Sequence, residues 1–321
     1  MLYGWGAAKM TIINEKYDES EVKIAIEKAL SDFYNSLIAN LDKIQIKDII
    51  KSKNPYLYRS KSMQRADDIV DSVLKAYVSS SEETIFGNCF FEPIAIAASG
   101  GEKSLSEGID LEIRDKVNNK VFCIAVKSGT SVFNADSKKR QEENFNKAKK
   151  LASQGKMGYE PVVGYGYGQK KSSSSDDKSY EEVAGEDFWT MLTGDSDFYK
   201  KIIVFMGSLP EKYVETFNKS YAEAFNRLVC DFTNYFCKKD GSINWNEIIE
   251  FNSASLDRIE LEKKEECKAN IISLIKDNAR ISKKDICDKL DYAKSFVEKN
   301  ITSLIEENKL EKNGKVWKIT L

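Results

Sequence analysis

Asp110 and Lys127 stand in a setting that would suit phosphodiester chemistry. Asp110 opens the run "DLEIRD", and Lys127 ends the unbroken apolar run Val121 to Val126. In the first stretch Ile109, Leu111 and Ile113 alternate with Asp110 and Glu112, which predicts a strand with one apolar and one acidic face. In the second, Val121, Cys123, Ala125 and Lys127 share one face and Phe122, Ile124 and Val126 the other. A strand apolar on both faces is central in its sheet. A lysine closing such a strand lies at the rim of the core, beside the position of Asp110 in a paired neighbour. There a carboxylate can hold Mg²⁺, which polarises phosphoryl oxygens and acidifies a bound water, while the lysine offsets charge on the pentavalent phosphate. The plainer alternative is a strand-edge acid next to a lysine that snorkels out of the core.

Composition narrows the chemistry further. The chain has 321 residues, 41% hydrophobic and 31% charged, with a net charge of −2, so a nucleic-acid surface must be a local patch. It contains no histidine. That excludes Ser-His-Asp and Cys-His catalysis, histidine nucleophiles and imidazole zinc sites, leaving carboxylates, lysine, hydroxyls and thiols. The six cysteines are scattered without a CxxC pair and read as buried free thiols of a reducing compartment. No apolar run approaches the roughly 18 residues of a membrane span, and no signal-peptide core is visible at the N-terminus. The opening "MLYGWGAAK" reads as a short native arm or a tag remnant.

The elements around the two strands follow from periodicity. Residues 18–50 are helical, with Val22, Ile24, Ile26, Ala29, Leu30, Phe33, Leu37 and Leu41 as the buried set. "KSKNPYLYRSKS" is a basic, tyrosine-bearing break around Asn54-Pro55. A second helix carries Ile69, Val70, Val73, Leu74, Tyr77 and Val78, and a further one follows "SSSEETIFG" and runs to about Ala98. After the hairpin of residues 109–127 come a polar helix over 138–154, a core strand in "EPVVGYGYG", a flexible polar segment over 169–179, and two helical pieces in "FWTMLTG" and "DFYKKIIVFMG". The glycines of "VVGYGYGQKK" lack the GK[ST] of a phosphate loop. Helices flanking a few central strands predict a three-layer α/β arrangement with a mixed central sheet.

The last 60 or so residues form a second pattern. "DRIELEKKEE" (257–266) is either a linker or the solvated start of a helix. One helix then buries Ile271, Ile272, Leu274 and Ile275. A second opens on Ser282 with Asp285 three residues on and buries Ile286 and Leu290. A third buries Phe296, Val297, Ile301, Leu304 and Ile305. The hairpin "LEKNGKVWKITL" closes the set, with Asn313-Gly314 as its turn. This order is that of a winged helix-turn-helix. The expected division is therefore a helical region over 1–53, an α/β core over 54–256 and a winged-helix domain over 257–321.

Asp110 followed by Ala125-Val126-Lys127 resembles the PD-(D/E)xK nuclease core. The wider sequence resembles PmeII-like type II restriction endonucleases in "NPYLYRSK" (54–61), "SSSEETIFG" (79–87), "EGIDLEI" (107–113), "VKSG" (126–129), "VVGYGYG" (162–168) and "GEDFWTMLTGDSDFYKKII" (185–203). The resemblance implies a cytoplasmic, homodimeric, Mg²⁺-dependent enzyme of restriction-modification defence, which cuts both strands of a short site in foreign double-stranded DNA. It implies Asp110 as the principal metal ligand, Lys127 as the catalytic lysine, and Glu82 or Glu83 as an additional acid. Adjacent helix positions lie about 100° apart, so only one of the two faces the site; Glu83, which shares a face with Gly87, is favoured.

The departure is Ala125, which stands in the slot of the second acid and cannot bind a metal. Three explanations are open: an engineered substitution that traps uncut DNA, a branch whose acid has moved to Glu112 or a helix glutamate, or a binding-only relative. DNA contacts are expected from Arg59 and Lys61 in the basic break, and from "SKKRQEENFNKAKK". In the third C-terminal helix they are expected from Tyr292, Lys294, Ser295, Lys299 and Thr302, and on the wing from Lys312 and Lys315. Residues 262–321 carry 14 Lys/Arg against 11 Asp/Glu, a modest positive excess. The same pattern also suits a dimerisation module and, by architecture alone, restriction enzymes that sense methylated bases. The competing reading of the whole chain is a winged-helix DNA-binding regulator with a catalytically silent nuclease-like domain.

Overall fold

A computed structural model of the protein describes residues 17–155, 157–170, 179–314 and 316–320. The opening "MLYGWGAAK" and most of the polar segment over 169–179 lie outside these residues. The described chain falls into two units: the chain up to Ile50 with Lys61–Ile243, and Lys51–Ser60 with Asn244–Leu321. This division departs from the expected boundaries at 53 and 257. The N-terminal helix belongs to the first unit, and Lys51–Ser60, most of the basic break, belongs to the second.

In the first unit α1 (Glu19–Lys43) starts on Asp18, whose carboxylate accepts the Ser20 N–H at 2.8 Å. It buries Val22, Ile26, Ala29, Leu30, Leu37 and Leu41 at helical spacing, whereas Ile24 falls off that stripe and is exposed. α2 (Ile46–Lys51) follows, then α3 (Pro55–Ser60), which lies in the second unit. The expected break is thus a helix start. Asn54 Oδ1 accepts the N–H groups of Tyr56 and Leu57 at 3.0 and 3.3 Å, and proline takes the first helical position. α4 (Ala66–Cys89) runs through "SSSEETIFG", which was expected to separate two helices. The break falls instead at Phe90, before α5 (Phe91–Ser99), because Pro93 has no N–H to offer the Cys89 carbonyl.

β1 (Glu102–Lys103), β2 (Leu111–Asp115), β3 (Lys120–Lys127), α6 (Ala135–Gln154), β4 (Gly158–Tyr165) and β5 (Glu181–Ala184) complete a five-stranded sheet ordered β1-β2-β3-β4-β5. The first two pairings are antiparallel and the last two parallel, so the sheet is mixed. α7 (Glu186–Thr193), α8 (Phe198–Met206) and α9 (Glu211–Phe236) follow. The central strand β3 is buried on both faces from Val121 to Val126, as its sequence demanded. Phe122, Ile124 and Val126 pack with Leu111, Ile113 and apolar residues of α1, α5, α7 and α8. Val121, Cys123 and Ala125 pack on the other face with Phe145 and Ala148 of α6. Each Val, Ile or Phe among them contributes roughly 1.5–3 kcal/mol when fully buried, so the register of β3 is strongly determined.

In the second unit α10 (Trp245–Ser253) packs with α3. Asn252 Nδ2 donates to the Lys51 and Lys53 carbonyls at 3.2 and 3.0 Å, which explains the shifted boundary. α11 (Leu256–Asp277) includes the charged stretch as its solvated start, laced by Arg258–Glu262 and Lys264–Glu260 pairs one turn apart. α12 (Lys283–Lys289) is capped by Ser282, whose Oγ accepts the Asp285 N–H at 3.1 Å. α13 (Lys294–Glu306) and the antiparallel pair β6 (Leu310–Asn313) and β7 (Val316–Ile319) close the unit. Ile271, Ile275, Ile286, Val297, Ile301, Leu304 and Trp317 form its core. Ile305, expected in that core, is exposed. Asn313 pairs with Val316, so the strand extends one position further than expected, and Gly314 follows it at φ +62°.

Among the described residues no helix is long and apolar enough to cross a membrane. All six cysteines are free; Cys123, Cys267 and Cys287 are buried, but Cys230 is exposed, against expectation. Burial pushes the Cys123 thiol up to about 12, so it is an inert core group.

Candidate active site

Asp110 sits one residue before β2, where the chain enters the sheet. Its N–H donates to the Ile124 carbonyl at 2.9 Å, which fixes the backbone beside β3. Its Oδ2 accepts the Val126 N–H at 2.7 Å and the Lys127 ammonium at 3.3 Å. The ammonium also donates to the Val126 carbonyl at 3.1 Å. Both side chains remain partly accessible, Lys127 at 27% and Asp110 at 23%. The acid and the lysine therefore meet at one end of the central strands.

The loop that delivers Asp110 is held by α6. Gln141 Nε2 donates to the Gly108 carbonyl at 2.8 Å, and both Gln141 and Asn144 are buried. Gly108 has φ +72°, and a Cβ there would lie 2.1 Å from Asn144 Nδ2, so only glycine fits. Ile109 packs with Val121, Cys123 and Phe145 on the α6 face, while Leu111 and Ile113 pack on the opposite face. The alternation expected from Ile109 onwards thus begins only at Leu111, because residues 109 and 110 precede the regular strand.

Asp110 and Lys127 open into a cleft of 660 Å³ whose wall includes Glu83, Glu92, Ser128, Thr130, Ser131 and Tyr167. Glu83 lines this cleft and Glu82 does not. Burial, then the charge of Glu83, raises the Glu82 carboxyl, and Glu82 in turn acts on Tyr34 and Tyr221. Glu112 also stays out of the cleft wall; its Oε1 accepts the Ser104 hydroxyl at 2.6 Å. Ala125 is fully buried in the α6-side core. Among the described residues no three His, Cys, Asp or Glu side chains are grouped closely enough to hold a metal ion by themselves.

Glu92 was missed by sequence reasoning. It lies in the first turn of α5, and nothing in its helical spacing separates it from a solvated acid. Its place in the cleft wall shows only in the tertiary structure.

Of the expected DNA contacts, Lys294, Ser295, Lys299 and Thr302 are all exposed on α13, and Ser295, Lys299 and Thr302 share one face of it. Tyr292 is half-buried. Lys312 is exposed, with its ammonium 4.7 Å from the Trp317 ring, and Lys315 lies outside the described residues. Arg59 is exposed in the second unit, its guanidinium 5.7 Å from the Trp245 ring; Lys61 is exposed in the first.

A mixed sheet between helical layers, with an acid and a lysine converging at one end of its central strands, is consistent with the fold of restriction-endonuclease-like nucleases. Residues 20–213, more than half of the chain, match the family of the type II restriction endonuclease EcoO109I, and the chain belongs to that family. The match contains Asp110, Lys127 and every cleft residue named above. No curated protein matches the chain.

Proposed function

We propose that this type II restriction endonuclease hydrolyses double-stranded DNA in a Mg²⁺-dependent, site-specific reaction that leaves a 5′-phosphate. It acts in this reading as a cytoplasmic homodimer, and PmeII-like specificity remains an expectation of the same kind. The observation that carries the proposal is the shared contact of Asp110 Oδ2 with the Val126 N–H and the Lys127 ammonium, inside the matched segment.

The donor chemistry fits a divalent ion. Asp110, Glu83 and Glu92 offer hard oxygens to one cleft, and Mg²⁺ typically takes one or two carboxylates and fills its shell with water and phosphate. Asp110 would hold the ion, which when bound supplies charge to the phosphoryl oxygens and acidifies water. Lys127, anchored on Asp110 and the Val126 carbonyl, faces the cleft as a fixed positive charge for the phosphate. The Val126 N–H keeps one Asp110 oxygen in place.

The second unit is proposed as a winged helix that contacts DNA through α13 and the hairpin. Trp317 supports this, since its backbone N–H donates to the Ala279 carbonyl and ties β7 to the segment between α11 and α12.

The test is plasmid cleavage with Mg²⁺ by the full chain and by Ala125→Glu. Discrete fragments that disappear on Asp110→Ala are expected. No cleavage from either chain at high enzyme overturns the nuclease reading. The regulator reading, favoured by the buried Ala125, requires metal-independent DNA binding that survives Asp110→Ala and is lost on deleting 262–321.

A further inference from the structure

The slot of the second acid is an alanine enclosed in the core, so any second carboxylate must reach the cleft from another element. The structure narrows the choice. Glu112 is engaged by Ser104 away from the cleft, and Glu82 lies outside the cleft wall. Two acids remain, Glu83 and Glu92.

Their supports differ. Glu83 is an exposed residue in the later part of α4. Glu92 is 26% accessible and rises from the first turn of α5. Ile94, Ala95 and Ala98 of that helix are fully buried, in one core with Leu111, Ile124 and Val126 of β2 and β3. The helix that carries Glu92 is thus packed directly on the strands that carry Asp110 and Lys127.

Glu92 already pairs with a cation. The Lys103 ammonium lies 2.8 Å from Glu92 Oε1. Lys103 is on β1, opposite Leu111, and the next residue, Ser104, donates its N–H to the Asp110 carbonyl at 3.3 Å. The negative charge of Asp110 also acts on that ammonium. A positive charge thus stands beside Glu92, with a smaller influence from Asp110. Lys103 itself is 73% exposed, on a long flexible stem. Such a solvated pair is held weakly, and the ammonium is free to leave when a divalent ion takes its place.

We infer that Glu92 takes over the metal-holding role absent at position 125, and that Lys103 is its exchangeable counter-ion in the metal-free protein. The inference rests on the divalent-metal reading of the Asp110 cleft and goes beyond it, since the sequence resemblance assigns no role to Glu92. Two consequences follow from the charges. Removing the Glu92 carboxylate weakens the hold on a divalent cation, and removing the Lys103 ammonium strengthens it.

The experiment is Mn²⁺ binding to the full chain, followed by electron paramagnetic resonance without DNA and therefore without turnover. Glu92→Gln is expected to weaken binding by roughly 10- to 100-fold, the range seen when groups supporting a metal are lost. Asp110→Asn should weaken it at least as much. Glu82→Gln and Glu112→Gln should leave it unchanged, and Lys103→Met should tighten it. With the fold verified by thermal melting, Ala125→Glu in the Glu92→Gln background should regain affinity. Wild-type binding by Glu92→Gln alongside loss in Asp110→Asn overturns the role of Glu92 and leaves the metal reading standing. Binding unaffected by Asp110→Asn, or no saturable binding at all, overturns the metal reading itself.

Discussion

Trp189 in the first unit and Trp317 in the second are built into their surroundings in the same way. Each is buried, and each donates its indole N–H to a backbone carbonyl at 2.8 Å, Gly166 for Trp189 and Ile281 for Trp317. What they hold differs. Gly166 adjoins Tyr167, a wall of the cleft, and its own N–H donates to the Lys127 carbonyl at 2.8 Å. Trp189 therefore steadies the stretch that ends in the lysine. Ile281 leads into α12, so Trp317 steadies a hairpin and a helix whose exposed residues include Lys284, Lys289, Lys312 and Lys318 alongside Asp285, Asp288 and Glu311. One anchor supports the place where Asp110 and Lys127 converge, and the other supports a surface. A nuclease centre needs atoms fixed to within a fraction of an ångström, whereas a DNA-reading face needs an intact element with the right side chains outward.

The tryptophans also give the sharpest way to break this contrast. Trp189→Ala and Trp317→Ala should each cost about 3–5 kcal/mol in the unit that contains them. Denaturant unfolding followed alongside plasmid cleavage separates the two. Trp189→Ala should lose both stability and cutting. Trp317→Ala should retain the fold of the first unit, and cleavage that falls equally in both variants would erase the distinction.

Next in size is the lysine. Lys127→Ala removes the fixed charge at the cleft, and single-turnover cleavage should slow by roughly 10²–10³-fold. The melting temperature should hardly move, because the ion pair with Asp110 is partly exposed. A stability loss that matched the rate loss would make Lys127 a structural group.

A smaller change is expected from the surface. Replacing Lys294 and Lys299 together by alanine should weaken DNA binding across sequences and reduce the salt slope of log K by about 1 per lysine. An unchanged slope in a salt titration would remove α13 from the DNA.

The smallest effect is a pH dependence confined to the second unit. The Lys268 ammonium, then Lys309 and the Ser303 hydroxyl, lower the Glu307 carboxyl to about 2. A carboxyl depressed in the folded state stabilises above its unfolded value, near 4.3, and that contribution is lost as pH falls from there through about 2. Glu307→Gln should flatten the acid limb of a melting curve in that window and leave cleavage near neutral pH unchanged.

The residues themselves determined the central features of this protein. An apolar run with both parities filled can only be an inner strand, so the place of β3 and the rim position of Lys127 followed from side-chain alternation. The absence of histidine set the available chemistry, and helical spacing with a serine cap marked the elements of the second unit. Tertiary structure decided the rest, because it depends on contacts between residues far apart in the chain. Gln141 and Asn144, buried on α6, hold the loop that delivers Asp110. Glu92, in the first turn of the helix that starts after the break at Phe90, lines a cleft that its own periodicity gave no reason to expect. Glu82 and Glu83, adjacent in the chain and alike in chemistry, part company because the α4 helix turns one to the cleft wall and leaves the other outside it.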